Sequence, residues 1–428
     1  ANDASRRMRA LRLARRFRHR GGNPKPGGAP RTVTNDAAER KRMEAHYHQN
    51  NQALVKRLRM AKRENSGDPV HRLVTKWANT RRAIGVIDVA DLIHAAGAFH
   101  RRLSRSHHAY LSRALDMKSS GYHKESMVGK ILVHFHVQGY DAGVRGLVKS
   151  LAPKVAACDE PFTERTLAAV SGLRRLRTSA ETDALLEALR PWITEVTPGA
   201  ASPWALCNAI FGLKSMDDTS DVALGVLGDF VSKLRETRLD DFGERSLGSA
   251  FSAFRHFSRT PQGLELIHLL SARLERSPER LSGRSVSAIL SGLEGLPPLP
   301  DYADGEAKAK AAAAENASDA VAALLARKIE EQDVEFDVKC LEHSLGSLQR
   351  IGEGEGARSL WVPLCARVEA ARAQGLRRRA VTRTWEWATE GLRSSNPERE
   401  KMMELLSSCR PLARADAETA GDGRLLDR

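Results

Sequence analysis

Residues 204–234 read WALCNAIFGLKSMDDTSDVALGVLGDFVSKL and contain two amphipathic segments separated by an acidic turn. In the first segment Leu206, Ile210 and Leu213 recur at i, i+4 and i+7, which is the spacing of one helix face. A second apolar stripe starts at Leu224. Two helices of this length cannot bury their apolar faces against each other alone. The stretch therefore predicts a helical hairpin that packs on further hairpins.

The same hairpin recurs along most of the chain. Each copy carries, near the middle of its predicted first helix, a small residue followed by a large apolar one. These marker pairs are Ala98-Phe99, His134-Phe135, Gly172-Leu173, Gly212-Leu213, Ala253-Phe254, Gly292-Leu293 and Ser347-Leu348, where His134 departs from the small type. The large residues are 36, 38, 40, 41, 39 and 55 positions apart, and the longest gap holds an insertion at 297–317 that is first Pro-rich and then Ala-rich. A small residue at a recurring helical position predicts a close approach of neighbouring helices.

This repeat predicts an all-α fold, namely an α-solenoid of about seven to eight helical hairpins with a period of about 38–40 residues. The eighth copy is expected around Trp385 and Trp387. The alternative is an irregular all-α bundle whose periodicity is accidental.

The predicted organisation is a basic, extended N-terminal arm and helix at 1–82, the solenoid at 83–408 and a polar C-terminal tail at 409–428. The joints of the third to fifth hairpins carry turn or cap residues, namely Pro161 before Thr163, Ser202-Pro203 before Trp204, and Pro261. The insertion is predicted to form a loop and a short exposed helix.

Positive charge is concentrated at the N-terminal end of the chain. Residues 1–82 hold 22 Lys/Arg and 6 Asp/Glu, whereas residues 83–428 hold 46 and 47, so the net charge of +15 belongs to the arm. Such a segment cannot build a core, and its charge favours contacts with the phosphates of a nucleic acid. The predicted RNA-binding residues are Arg6, Arg7, Arg9, Arg12, Arg15, Arg16, Arg18, Arg20, Lys25, Arg31, Lys41, Arg42, Lys56, Arg57, Arg59, Lys62 and Arg63. The same composition also resembles an organelle transit peptide, although a start at Ala1 instead of methionine fits a processed chain.

Several classes of function find no support in the sequence. The five cysteines are dispersed without a C-x-x-C pair, which indicates a reducing compartment and neither a disulfide framework nor a zinc site. Seven histidines fall within residues 94–136 without metal-ligand spacing. We expect most of them to be exposed, with stacking on bases or contact with phosphates as the functional alternative. Catalytic and cofactor motifs are missing, so we predict no enzyme activity, cofactor, metal or small-molecule substrate. No run of 18 apolar residues is long enough for a membrane span.

The repeats are similar to a known group of proteins. The segments LCNAIFGLKSM, LGSAFSAFRHF, VSAILSGLEGL and LEHSLGSLQRI, each followed by a Leu-rich second helix, resemble octotricopeptide and heptatricopeptide repeats of organellar RNA-binding proteins. The resemblance covers residues 84–408. It implies that the inner helices line a concave RNA-binding surface, and that the protein acts on organellar transcripts or belongs to a mitochondrial ribosome. Because this chain lacks the family's proline-tryptophan signature and has a near-neutral repeat region, no base-reading residue is carried over.

Charge and resemblance together predict a non-catalytic RNA-binding structural component of a mitochondrial ribosome, with a plastid as the alternative location. In this hypothesis the arm lies on ribosomal RNA phosphates while the solenoid contacts RNA and neighbouring ribosomal proteins. One alternative is a free maturation or stability factor that binds single-stranded RNA along its repeats. Another is a protein–protein scaffold, since near-neutral helical solenoids also bind peptides.

Deletion of residues 1–35 tests the predicted arm. We expect the repeats to stay folded and the RNA affinity to fall, because ten basic side chains are lost. If the arm neutralises about six to ten phosphates, affinity for RNA should drop by roughly three to five decades between 50 and 200 mM salt in the full chain. The measurement compares RNA affinity of the full and truncated chains across a salt series. Equal affinities and equal salt slopes would mean that the arm is only a targeting segment.

Overall fold

The computed structural model describes residues 69–80, 84–116, 125–158, 160–196, 201–237, 242–294, 304–351 and 354–373, all within the unit that runs from 64 to 428. Every regular element in these ranges is helical, which confirms the predicted all-α class. Of the predicted N-terminal arm and helix at 1–82, only residues 69–80 are described. The rest of that segment, the eighth hairpin copy and the C-terminal tail lie outside the described residues.

Sixteen α-helices occur in the described ranges. They are α1 Pro69–Asn79, α2 Val86–Ala98, α3 Arg105–Asp116, α4 Glu125–Val133, α5 Phe135–Gln138, α6 Ala142–Ala156, α7 Glu164–Ala169, α8 Ala180–Glu195, α9 Pro203–Phe211, α10 Asp221–Glu236, α11 Glu244–Phe254, α12 Pro261–Arg276, α13 Gly283–Leu293, α14 Gly305–Glu331, α15 Val338–Ile351 and α16 Glu355–Ala373. Two of them continue as 3₁₀ turns, α7 at Val170–Leu173 and α11 at Arg255–Phe257.

The helices pack in two series. The first helices of the hairpins are α2, α4, α7, α9, α11, α13 and α15, and each of them packs on the next one in this order. The second helices are α3, α6, α8, α10, α12, α14 and α16, and they pack in the same consecutive way. Contacts between the two series include α9 with α10 and α15 with α16. Each hairpin therefore packs mainly on the hairpins next to it in sequence.

The small residue of the marker pair allows backbones of consecutive first helices to touch, as predicted. A Cβ added at Gly172, Gly212 or Gly292 would lie 1.6, 2.3 or 1.9 Å from a carbonyl oxygen of the preceding first helix or its 3₁₀ turn. No real Cβ fits at such distances. The pairs lie at the C-terminal ends of the first helices and not near their middle, since α9 ends at Phe211 and Leu213 follows it as a fully buried residue.

In the first two hairpins a different residue provides the room for the close approach of the first helices. His134 occupies the small position of the second hairpin, and the room for it comes from Gly97, where an added Cβ would lie 2.1 Å from the His134 Cβ. The small contact residue of the first hairpin is thus Gly97. Ala98, which the sequence pattern marked, is exposed.

The predicted turn chemistry at the hairpin joints is confirmed. Thr163, Ser202 and Thr260 are helix N-caps whose side chains accept hydrogen bonds from the backbone N–H of the third residue of α7, α9 and α12. Proline occupies the first turn of α9 and α12, where its missing N–H has no intrahelical partner to lose.

The second helices are joined by a repeated polar contact. A long donor side chain on each helix bonds to backbone carbonyls at the C-terminal end of the preceding second helix. The donors and acceptors are Trp192 to Val155 (3.1 Å), Lys233 to Thr194 (3.2 Å), Arg273 to Leu234 (2.6 Å), Lys328 to Ser277 (3.1 Å) and Arg367 to Ile329 (3.5 Å). The last carbonyls of a helix have no intrahelical donor, and a cation there is favoured by the helix dipole.

The insertion differs from its predicted form of a loop plus a short exposed helix. From Gly305 the Ala-rich segment continues without a break into the second helix of its hairpin, which gives the 27-residue α14 with Asp304 as N-cap. Alanine has the highest helix propensity, so this segment extends the helix instead of forming a separate element.

Replacing Gly212 by alanine tests the backbone contact. We expect the free energy of unfolding to fall by about 1–3 kcal/mol, because the new Cβ has to displace the Val170 carbonyl. The control is Gly346→Ala in α15, where nothing lies within 4 Å of the added Cβ and a gain of up to about 1 kcal/mol is expected. Urea unfolding followed by circular dichroism measures both. Two variants of equal stability would contradict the assigned role of Gly212.

Candidate nucleic-acid interface

The seventeen basic residues predicted to bind RNA, from Arg6 to Arg63, all lie outside the described residues. Their assignment stays a prediction. The described repeats contain a different set of cations, and these fall into two groups with contrasting surroundings.

Cations on the second helices are paired with carboxylates of the neighbouring hairpin. Arg190 lies 2.7 Å from Asp229, Arg327 lies 3.5 Å from Glu275, and Arg235 pairs with Glu265. Partly exposed pairs of this kind contribute roughly 0–1 kcal/mol each. These three cations are thus neutralised locally, whereas Lys233, Arg273 and Lys328 of the same series donate to backbone carbonyls.

Cations at the ends of the first helices are arranged differently. The residue after the large apolar marker is Arg174 in the third hairpin, Lys214 in the fourth and Arg255 in the fifth. We call Arg174, Lys214 and Arg255 the basic row. All three side chains are half-buried. A cation near a helix C-terminus is stabilised by about 0.3–1 kcal/mol, so part of this placement has a purely structural reason.

An aromatic ring joins two members of the basic row. The Arg174 guanidinium carbon and the Lys214 Nζ each lie 5.5 Å from the centroid of the half-buried Phe211 ring. Both distances are within the range of cation–π attraction. Among the described residues no carboxylate forms an ion pair with Arg174 or Lys214, and Arg174 donates to the Ser171 carbonyl at 3.0 Å.

The members of the basic row influence each other electrostatically. Burial lowers the pKa of Lys214, and Arg174 and Arg255 lower it further, while Glu294 raises it. Burial likewise lowers the pKa of Arg174, with a further contribution from Arg175. Like charges that are held together in partly desolvated positions repel one another, and a bound anion would relieve that repulsion.

Histidines continue the basic row on its N-terminal side. The His94 and His134 ring centroids are 4.7 Å apart, and those of His134 and His136 are 6.3 Å apart. Burial lowers the pKa of His136 to about 4, with Arg174 and His134 adding to the effect. Burial also lowers the pKa of His134, and His94, His100 and Arg174 reinforce it. Near neutral pH the His136 ring is therefore uncharged and offers a flat polar surface beside the cations.

The expectation that most of these histidines are exposed is wrong for the described ones, since only His94 and His100 are exposed. His107 and His108 on α3 are buried, because α3 packs against both α1 and α6. Nε2 of His108 lies 3.2 Å from Gln138 Oε1, and Nε2 of His107 lies 2.9 Å from Thr75 Oγ1. These two rings belong to the core and not to the basic row.

The C-terminal member of the basic row, Arg255, is paired with the buried carboxylate of Glu294. Glu294 follows the marker pair of the sixth hairpin, and its side chain is only 3% exposed. Its Oε2 lies 2.6 Å from Arg255 Nη1, and its Oε1 accepts from Ser347 Oγ at 2.8 Å and from Arg350. Within the described ranges Arg174 and Lys214 form no ion pair with a carboxylate, although the charge of Glu294 raises the pKa of Lys214.

Sequence reasoning missed the basic row because it summed charge over the whole repeat region, where acids and bases nearly cancel. The signal was nevertheless present. Once the marker pairs are aligned, the next position reads Arg174, Lys214, Arg255 and Glu294 in four consecutive copies. Reading charge by repeat position would have found the row.

Within the described ranges no three His, Cys, Asp or Glu side chains are grouped so that they could hold a metal ion. None of the helices described above is both long and apolar enough to cross a bilayer. Comparisons give no match: neither a protein-family model nor a curated protein is significantly similar to this chain.

The lowered pKa of His136 predicts a specific acid sensitivity. In the unfolded chain this ring takes up a proton near its ordinary pKa of 6.5, whereas in the folded protein it stays neutral down to about pH 4. Its contribution to stability is therefore complete above about pH 6.5 and is lost as the pH falls toward about 4. We expect His136→Gln to lose less stability than the parent protein over this interval.

Urea unfolding at several pH values between 7.5 and 4 measures this difference. The matched control is His268→Gln, which removes an exposed histidine of α12 and should follow the parent protein. A His136 variant whose stability declines with acid in parallel with the parent protein would show that the ring is not held neutral by its surroundings.

Proposed function

We propose that this chain is a non-catalytic helical-repeat protein that binds RNA and forms a structural part of a mitochondrial ribosome or a related organellar ribonucleoprotein. The observation that carries the RNA-binding part is the basic row. It places Arg174, Lys214 and Arg255 on three consecutive hairpins, with no carboxylate paired to Arg174 or Lys214 in the described part of the chain.

The packing of the helices supports the solenoid part of the proposal. In a solenoid each repeat contacts only its neighbours, and contacts recur at one repeat length. Here first helices pack on first helices and second helices on second helices, in chain order. The connecting hydrogen bonds of the second helices span 37 residues from Trp192 to Val155 and 39 from Arg273 to Leu234. The bond from Lys328 to Ser277 spans 51 residues, because the insertion lies between them.

The chemistry of the basic row favours a polyanion as the ligand. Packed helix axes lie about 8–10 Å apart, so equivalent cations on consecutive first helices form a regular series. A chain of phosphates neutralises such a series better than a single anion does, and arginine suits bidentate contact with phosphate. Phe211, between Arg174 and Lys214, adds an aromatic surface of the kind on which bases of single strands stack.

The predicted arm supports a place inside a ribonucleoprotein particle. Its 22 basic residues within 1–82 favour many phosphate contacts without sequence preference. The family resemblance supports an organellar location, which we propose to be the mitochondrion, with a plastid as the alternative. This part of the proposal rests on the sequence alone.

A second candidate is a free factor that binds and protects or matures single-stranded RNA. The basic row favours it, because the cations and Phe211 lie on the repeats themselves, where a single-strand binder needs them. Sedimentation in high salt separates the two candidates, since an integral subunit stays with a ribosomal particle that a free factor leaves. A protein–protein scaffold draws less support, because a neutral peptide would leave the basic row uncompensated.

The double variant Arg174→Ala/Lys214→Ala tests the proposed RNA contact in the full chain. We expect weaker binding of a labelled single-stranded oligouridylate and a salt slope reduced by about two units, one for each lost phosphate contact. Fluorescence anisotropy between 50 and 300 mM KCl measures both quantities.

The matched control is Arg190→Ala/Arg327→Ala, which removes the same charge from the second helices, where both arginines are paired with carboxylates. We expect this control to keep the slope of the parent protein. If both double variants lose the same affinity, net charge and not the basic row governs binding.

A further inference from the structure

Glu294 occupies the position that carries a cation in the three preceding hairpins. Arg174, Lys214 and Arg255 each follow the marker pair of their hairpin, and Glu294 follows Gly292-Leu293 in the sixth. The sign of the charge therefore reverses at one defined step along the first helices. This reversal is not required by the turn, because the same local position accepts both signs.

The carboxylate of Glu294 links three consecutive hairpins. It forms an ion pair with Arg255 of the fifth hairpin at 2.6 Å and accepts a hydrogen bond from Ser347 of the seventh at 2.8 Å. It also pairs with Arg350 of the seventh hairpin. While the carboxylate is almost completely buried, the two arginine side chains are 38% and 52% exposed. Both arginine side chains are thus partly exposed to solvent, and the buried Glu294 carboxylate neutralises part of their charge.

From this geometry we infer that Glu294 sets the C-terminal boundary of the polyanion site. The inference rests on the proposed RNA-binding function. Arg174 and Lys214 have no carboxylate partner among the described residues and bind phosphate fully, Arg255 binds it with reduced strength, and Arg350 is held out of the site. The ligand is a single-stranded polyanion that covers the third to fifth hairpins and does not extend onto the seventh.

A purely structural ion cluster makes a different prediction. If Glu294 only fastened neighbouring hairpins together, its loss would lower stability without changing the number of phosphates bound. If Glu294 sets the boundary of the site, its removal leaves Arg255 free to bind phosphate at full strength and allows Arg350 to bind phosphate as well. The number of released counterions, read from the salt slope, distinguishes the two roles because a change in stability does not alter it.

Glu294→Gln in the full chain is the direct test. Glutamine keeps an acceptor for Ser347 and leaves both arginines partly solvated, so no unpaired charge is buried. With labelled oligouridylates of increasing length, we expect tighter binding, a salt slope steeper by about one to two units and a longer minimal oligonucleotide for full affinity. The control is Glu275→Gln, which removes the same charge from the second helices and should leave the slope unchanged.

Arg350→Gln supplies an independent measurement that does not depend on the folding of the Glu294 variant. In the parent protein its loss should leave the slope unchanged, and in the Glu294→Gln background it should remove about one unit of the gain, which is the part that Arg350 contributes. A slope reduced by about one unit in Arg350→Gln alone would overturn the inference, since Arg350 would then already contact RNA. Equal slopes in Glu294→Gln and Glu275→Gln would overturn it as well.

The failure of this inference can be told apart from the failure of the proposed function. If Arg174→Ala/Lys214→Ala binds oligouridylate as tightly as the parent protein, the basic row is not an RNA site. The inferred boundary at Glu294 is then wrong as well. If that double variant weakens binding but Glu294→Gln behaves like its control, the site stands and only its boundary is wrong.

Discussion

The contact between backbones of consecutive first helices is the constraint on which the described repeats depend. At Gly172, Gly212 and Gly292 the space for a Cβ is already filled by a carbonyl group of the preceding hairpin. A backbone contact admits no side chain between the helices, so it fixes their separation more closely than side-chain packing could. Where the small residue is missing, at His134, the room comes from Gly97 on the partner helix, so the separation is preserved by exchanging the roles of the two sides.

This fixed separation also determines where charge is placed. The residue after each marker pair projects from an equivalent point of each hairpin, and a cation there is repeated at the spacing of the helices. On the second helices, cations either pair with a carboxylate, as Arg190 does with Asp229, or bond to carbonyl ends, as Lys233 does. The two series thus differ in how their cations are held. Those of the second helices bond to carboxylates or to carbonyl ends of the preceding second helix, whereas Arg174 and Lys214 form no ion pair in the described ranges and share the Phe211 ring.

Much of this fold could be predicted from the sequence because its signals are local and recurrent. The period, the N-caps Thr163 and Ser202 and the requirement for a small residue at 212 each follow from a few neighbouring positions. The basic row and the Glu294 cluster could not be predicted in the same way. They depend on side chains 39 to 56 positions apart, and a charge sum over the region cancels them. The continuous α14 was missed because the proline-rich start of the insertion suggested a separate loop, whereas the alanines after it extend the helix.

Glu294 also bears on whether the cations of the basic row serve the fold or a ligand. A cation at a helix C-terminus gains roughly 0.3–1 kcal/mol, which alone would explain Arg174, Lys214 and Arg255. The sixth hairpin nevertheless packs through the same glycine contact while carrying a carboxylate at the equivalent point. Since the fold accepts either sign there, it does not require three cations in succession, and it would avoid their mutual repulsion if stability alone were at stake. The ligand that we propose, which carries regularly spaced negative charge, would account for three cations in succession, which the helix dipole explains only one at a time.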